Sequence, residues 1–132
     1  PDVTDLAAFG IEEKELLRLA ASVEKNSEHP LAEAVVRKAK ADGIDLAEAR
    51  DFYAYPGKGV FALVDGPEII AGNRMIFEDR GIIVPEDVKA AESAFQEQGK
   101  TVILVSLDGK IAGMVAIADK HITKMIFISK YV

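Results

Sequence analysis

Two β-rich runs near the end of the chain, residues 101–107 and 111–118, are joined by Asp108-Gly109. Asp-Gly favours the two-residue turn whose positive φ angles match the twist of antiparallel strands, so this stretch predicts a β-hairpin. An isolated hairpin is barely stable in water and needs further strands or a packed helix to cover one face. The rest of the chain must therefore supply more strands and a covering layer.

Further strands are predicted upstream of this hairpin. Three short β-rich runs at 49–55, 59–64 and 68–71 are separated by Pro56-Gly57 and Asp65-Gly66-Pro67, which are turn signals. The second and third runs predict another hairpin around Asp65-Gly66. A first strand is expected at residues 3–9, where it is ended by Gly10.

Helices are predicted between the strands, in two pairs. Residues 12–26 carry acidic side chains in the first turn and apolar ones at helical spacing, and a second helix should start at Pro30 and stop at Gly43. A short helix is expected at 73–79 and a longer one from Pro85 to Gly99. The order β-αα-βββ-αα-ββ predicts an α+β fold: a mostly antiparallel six-stranded sheet packed with two helical hairpins. Residues 119–132 break the pattern and receive no assignment.

Composition excludes several functional classes. The chain has 132 residues and no cysteine, which excludes a disulfide scaffold, a thiol nucleophile and a cysteine-ligated zinc site. Its net charge of −6 argues against nucleic acid as the main partner. No apolar run approaches the ~20 residues of a membrane span. Position 1 is not Met, so we expect the chain to be cut from a longer one.

The common catalytic and nucleotide motifs are absent too. There is no Gly-x-x-x-x-Gly-Lys-Ser/Thr phosphate loop, no Gly-x-Gly-x-x-Gly fingerprint and no Gly-x-Ser-x-Gly elbow. The only histidines, His29 and His121, lie far apart in the sequence, and His121 is given no role. We therefore predict no metal site and no catalytic residue within the chain.

Three local features remain. Glu24 and His29 flank a helix break, and two glycines surround Lys58 in a Pro-Gly-Lys-Gly-Val segment. Gly72-Asn73 stands where a strand gives way to a helix. Each feature alone has an ordinary structural explanation: a helix cap for the histidine and the asparagine, and a turn that opens a strand for the glycines.

In this order, the three features resemble one family. Ser27-Glu28-His29-Pro30-Leu31, Pro56-Gly57-Lys58-Gly59-Val60 and Ala71-Gly72-Asn73-Arg74 are similar to the nucleotide-binding domain of heavy-metal P-type ATPases, which transport copper, zinc, cadmium or silver. The Ser-Glu-His-Pro element is highly specific to that class. The resemblance runs from about residue 3 to 118. We therefore expect a nucleotide-binding domain at 1–118 and a junction or added tail at 119–132.

The resemblance implies that ATP lies in a cleft between a helix pair and the sheet. Glu24 matches the acidic residue that accepts a hydrogen bond from the adenine amino group. His29 matches the histidine that packs beside the base and orients the nucleotide. An imidazole ring is flat and can stack in this way.

The remaining matches concern the backbone around the ligand. Gly57 and Gly59 match the glycines that let the chain close on the base and ribose, and Gly72 and Asn73 match the pair that completes the pocket wall. We expect a valine at position 59 to exclude the base while the strand tolerates it, unless that position needs a positive φ.

The chain lacks the motifs with which this family carries out phosphoryl transfer. The phosphorylated aspartate of Asp-Lys-Thr-Gly-Thr is absent, as are the Mg²⁺-binding Thr-Gly-Asp and Gly-Asp-Gly-x-Asn-Asp elements. The resemblance places them in a phosphorylation domain into which this domain is inserted. The expected ligands are ATP and ADP, with Mg²⁺ held mainly by that other domain. The expected protein partners are the phosphorylation and actuator domains of one parent chain, on the cytoplasmic side of a membrane that this domain does not touch.

Two other functions compete with this interpretation. A self-sufficient phosphatase of the haloacid dehalogenase type would need the nucleophilic aspartate motif that is missing. An interaction or regulatory domain with a decayed nucleotide site is the second alternative. The six matching positions are all intact in residue type, which argues against decay.

Overall fold

The computed structural model describes residues 1–119, and the predicted element order is confirmed within them. Residues 120–132, which include His121 and all of the predicted junction except Asp119, lie outside the described residues. The elements are β1 (Asp2–Ala8), α1 (Glu13–Glu24), α2 (Pro30–Ala41), β2 (Ala49–Tyr55), β3 (Gly59–Val64), β4 (Glu68–Gly72), α3 (Arg74–Asp79), α4 (Glu86–Glu97), β5 (Thr101–Leu107) and β6 (Lys110–Ala118).

Most boundaries agree with the sequence patterns to within one or two residues, which is the usual scatter of helix and strand ends. The Asp108-Gly109 turn has φ angles of 47° and 83°, as a two-residue hairpin turn requires. Helix α1 ends at Glu24, two residues earlier than predicted, because the chain leaves the helix ahead of the Ser-Glu-His-Pro segment.

The six strands form one sheet in the order β1-β6-β5-β4-β3-β2, and every neighbouring pair is antiparallel. The predicted α+β class is confirmed. The pairs β2–β3, β3–β4 and β5–β6 are joined by hairpins, whereas β4 reaches β5 only after the excursion through α3 and α4. At the sheet edge β1 pairs with β6, and Asp2 lies opposite Ala118.

One helix pair covers each face of the sheet. Because side chains alternate along a strand, Ile103 and Val105 of β5 pack with α1 and α2, while Val102 and Leu104 pack with the α3–α4 side. Burial on both faces explains why β5 and β6 are almost continuously apolar in sequence. Within residues 1–119, no helix is both long and apolar enough to cross a membrane.

Candidate functional site

A cleft of about 310 Å³ opens where several element ends converge. Its lining comes from the break between α1 and α2, the β2–β3 turn, the end of β4 and the start of β5. The structure brings all the site residues predicted from sequence to this one cleft. They are Glu24, His29, Gly57, Gly59, Gly72 and Asn73.

Glu24 is the last residue of α1, and its side chain lines the cleft although the residue is only 6% exposed. Burial raises the pKa of its carboxyl group from the ordinary 4.5 to about 7. Within residues 1–119 no group donates a hydrogen bond to this carboxylate. A buried carboxylate without a donor is costly to the protein, so this group is poised to accept a hydrogen bond from a ligand.

His29 caps helix α2. Its Nδ1 accepts a hydrogen bond from the backbone N–H of Leu31 at 3.1 Å, and its extended backbone precedes Pro30, the first residue of the helix. An Nδ1 atom that accepts carries no proton, so the neutral ring has its proton on Nε2. The side chain is exposed and lines the cleft. The same histidine therefore has a structural role and a position suited to ligand binding.

Asn73 ties the β2–β3 turn to the start of α3. Its Oδ1 accepts from the N–H of Met75 at 2.9 Å and caps the helix, while its Nδ2 donates to the carbonyl of Gly57 at 2.8 Å. Its backbone N–H donates to the carbonyl of Lys58 at 2.9 Å. The turn itself is closed by the N–H of Lys58 donating to the carbonyl of Tyr55 at 2.9 Å. These bonds hold the cleft wall in one conformation.

Gly57 and Gly59 are glycines for different reasons. Gly57 has a φ of 75°, and a side chain there would meet open space. Gly59 has a φ of 155°, and a Cβ built on it would lie 2.4 Å from the carbonyl oxygen of Ala71. The expected tolerance of a valine at 59 depended on the absence of a positive φ, and that condition fails here; β4 also occupies the space that a side chain needs.

The charged groups of the cleft are unevenly placed. Glu24 lies buried at the helix break, whereas Lys58 projects from the β2–β3 turn, where its Nζ is 2.5 Å from Oδ2 of Asp79. Among residues 1–119 there is no cluster of three or more Asp, Glu or His side chains able to hold a metal ion.

Comparison with curated proteins shows similarity to copper pumps. The chain is 42% identical over 119 residues to a probable copper-exporting P-type ATPase of Archaeoglobus fulgidus, covering 90% of the chain and 14% of that protein. It is 46% identical over 121 residues to a copper-transporting P-type ATPase of Rhizobium leguminosarum, covering 91% and 14%. The chain thus spans about one seventh of the length of these relatives. No family model matches it.

Solved structures decide which part of such a pump the chain matches. The N-domain of HMA8, a copper-transporting P-type ATPase, is 33% identical with a TM-score of 0.76, and the match covers 89% of this chain and 100% of that one. The chain belongs to the N-domain family of heavy-metal P-type ATPases. A zinc-transporting PIB-type ATPase contains a similar N-domain, 32% identical with a TM-score of 0.78, over 90% of this chain and 19% of that one.

A third structure is a more distant relative of this N-domain. The catalytic domain of the CPx-ATPase CopB-B, studied for its conformational changes upon nucleotide binding, is 25% identical with a TM-score of 0.61. That match covers 89% of this chain and 36% of the other.

The cleft of this N-domain also contains residues to which sequence analysis gave no role. Tyr55, Lys58, Thr101 and Ile103 all line it. Lys58 lies inside the Pro-Gly-Lys-Gly-Val motif, so its positive charge next to the predicted site is evident from the sequence. Thr101 and Ile103 reach the cleft only because β5 pairs with β4, and no local pattern predicts that pairing.

Proposed function

We propose that this N-domain binds ATP by its adenine end and presents the γ-phosphate to a separate phosphorylation domain of a heavy-metal cation pump. The observation that carries the proposal is the buried Glu24 carboxylate, which faces the cleft without a hydrogen-bond donor of its own among residues 1–119. The adenine amino group is such a donor. Guanine presents a carbonyl oxygen at the corresponding position, which would leave the carboxylate unpaired and repelled.

The other cleft residues suit the rest of the adenosine group. His29 lines the entrance with a flat ring that can pack beside the base. Gly57, Gly72 and Asn73 supply a wall of backbone and one amide, which a ribose and base can approach closely. Gly59 contributes to the same wall through its backbone. We propose these six residues as the nucleotide-binding set.

Chemistry is assigned to the rest of the pump. In the proposed parent, ATP hydrolysis proceeds through an aspartyl-phosphate on the phosphorylation domain, and Mg²⁺ accompanies the phosphates and is held mainly there. Residues 1–118 are the proposed nucleotide-binding unit and 119–132 the junction or added tail. Phosphorylation and actuator domains of the same chain are the proposed partners, on the cytoplasmic side of the membrane. By itself this unit should not turn over ATP.

Isothermal titration of the chain with ATP, ADP and GTP tests the proposal. We expect a Kd for ATP on the order of 0.1–1 mM, because a site without a phosphate loop must offset the cost of immobilising a flexible ligand. ADP should bind within about tenfold of ATP, since recognition is at the base, and GTP should bind more weakly. Equal affinity for GTP and ATP would contradict the adenine contact.

The same samples separate the competing functions. Turnover of p-nitrophenyl phosphate by the isolated chain would favour a self-sufficient phosphatase. Binding of no nucleotide at millimolar concentration would favour the alternative of an interaction domain with a decayed site. The proposed function requires nucleotide binding without turnover.

A further inference from the structure

Lys58 is the only lysine or arginine among the described residues that line the cleft. It stands between Gly57 and Gly59 on the β2–β3 turn, whereas Glu24 belongs to the helix break, a different part of the cleft lining. The chain as a whole has a net charge of −6. A polyanionic ligand approaching this acidic domain therefore meets one cationic side chain among the residues that line the cleft.

The main chain of Lys58 is held by two hydrogen bonds, whereas its side chain makes a single exposed ion pair. Its N–H donates to the carbonyl of Tyr55 and its carbonyl accepts from the N–H of Asn73, both at 2.9 Å. Its Nζ forms one ion pair, at 2.5 Å, with Asp79. The side chains of Lys58 and Asp79 are 37% and 54% exposed, and ion pairs that are this exposed contribute little to stability.

We infer that Lys58 binds the phosphate chain of the nucleotide by exchanging its ion pair with Asp79 for one with a phosphate. This inference rests on the proposed function, since it concerns the other end of the same ligand. The exchange is cheap for the protein, because the released Asp79 carboxylate is already half hydrated. The triphosphate as a whole carries several negative charges, whereas Asp79 carries one, so the phosphate chain attracts the ammonium group more strongly.

The placement of the two charges fixes the direction of the ligand. Phosphates near Glu24 would face a carboxylate, whereas phosphates near Lys58 face a cation, so the base lies toward α1 and the triphosphate toward the β2–β3 turn. Lys58 is a binding and positioning residue in this arrangement. Asp79 competes with the ligand for it.

Nitrogen–proton correlation NMR titrations can measure millimolar affinities for ATP, ADP and adenosine with the parent chain and three variants. Lys58→Gln should lower the affinity for ATP about three- to tenfold, which is the scale of a partly exposed ion pair. The same substitution should change the affinity for adenosine by less than about twofold. Asp79→Asn should raise the affinity for ATP about two- to fivefold, because it removes the carboxylate that competes with the phosphates for Lys58. It should leave the affinity for adenosine unchanged. Raising the salt concentration should weaken ATP binding more in the parent than in Lys58→Gln.

Lys110→Gln is the matched control. It removes the same charge at the β5–β6 turn, at the opposite end of β5 from the cleft, and should shift ATP affinity by less than about 1.5-fold. A Lys58→Gln variant that weakens ATP and adenosine equally would overturn the inference, because the lysine would then only support the turn. Weaker ATP binding by Asp79→Asn would overturn it too.

The two proposals fail separately in this experiment. If the parent binds neither adenosine nor ATP, the proposed function fails. If the unsubstituted chain binds adenosine and ATP, but Lys58→Gln leaves the ratio of ATP to adenosine affinity unchanged, the proposed function stands and the role of Lys58 is refuted.

Discussion

Gly59 and Gly72 lie opposite each other across strands β3 and β4, and neither position has room for a side chain. A Cβ at Gly59 would lie 2.8 Å from the Cα of Gly72, and a Cβ at Gly72 would lie 2.8 Å from the Cα of Gly59 and 2.2 Å from the carbonyl oxygen of Lys58. Each glycine therefore makes space for the other. This contact lets the β2–β3 turn lie close against the end of β4, where both form the cleft wall.

Gly59→Ala and Gly59→Val should both destabilise the fold. A collision with backbone atoms cannot be relieved by a rotamer change, so we expect each to lower the free energy of unfolding by about 2 kcal/mol or more. Gly57→Ala is the control, because its Cβ meets open space and only its positive φ opposes the change, at about 1 kcal/mol. Urea unfolding measures all three. A Gly59→Val variant as stable as the parent would refute the contact.

Glu24→Gln should stabilise the protein at high pH while it weakens ATP binding. The folded-state pKa, about 7, lies above the ordinary 4.5, so the folded protein binds more protons than the unfolded chain between these values. The free energy of unfolding should therefore fall as pH rises from about 4.5 to about 7. Above that range Glu24 is ionised in both states, and the loss of stability reaches its full value. Glu24→Gln should therefore raise the free energy of unfolding by on the order of 1–3 kcal/mol at pH 8 and by little at pH 4.5.

Melting curves at several pH values measure this gain, and titration at pH 8 should show ATP affinity lowered by about 1 kcal/mol. Glu28→Gln is the control: this exposed glutamate lies four residues further along, and its replacement should change neither quantity. A Glu24→Gln gain that is equal at pH 4.5 and pH 8 would show that burial of the charge is not its cause.

Two substitutions at His29 separate its capping role from its ligand role. His29→Ala loses the acceptor for the Leu31 N–H and should cost about 1 kcal/mol of stability, whereas His29→Asn keeps a good cap and should cost less than about 0.5 kcal/mol. Both lack the ring, so both should lower ATP affinity by on the order of 1–2 kcal/mol. Thermal melts with parallel ATP titrations measure the two effects. If His29→Asn binds ATP like the parent, the ring does not contact the nucleotide.

Asn73 can be divided in the same way. Asn73→Ser keeps an acceptor for the Met75 N–H but loses the amide donor to Gly57, while Asn73→Ala loses both. The free energy of unfolding should therefore be lower for Asn73→Ala than for Asn73→Ser by about 1 kcal/mol. Both should weaken adenosine binding by a similar factor, about three- to tenfold, because both lose the side-chain hydrogen bond from Asn73 to the β2–β3 turn. Weaker binding in the alanine variant alone would assign the effect to the helix cap.

Local patterns predicted the elements well because local chemistry determines them. Asp108-Gly109 favours a two-residue turn through its own φ preferences, and Pro30 favours a helix start through its fixed φ. The six residues chosen from sequence all line one cleft. Their roles toward a nucleotide stay predictions.

Properties that depend on distant pairing could not be predicted. The impossibility of a side chain at Gly59 follows from its pairing with Gly72, and sequence alone showed only a glycine in a strand. The burial of Glu24 depends on how the end of α1 packs at the cleft, since a glutamate in the last turn of a helix is usually exposed. The part played by Lys58 depends on Asp79, a residue 21 positions away.

The pairing of Asp2 with Ala118 brings the two ends of the folded unit side by side. Opposed residues of antiparallel strands have Cα atoms about 4.5–5.5 Å apart. The two points at which another polypeptide could be joined to this unit are therefore as close together as the two ends of a tight turn, although more than a hundred residues separate them in sequence. Since the entropy of loop closure grows with loop length, a host fold interrupted at this point would lose little conformational freedom, because the β1–β6 ladder has already brought the ends together.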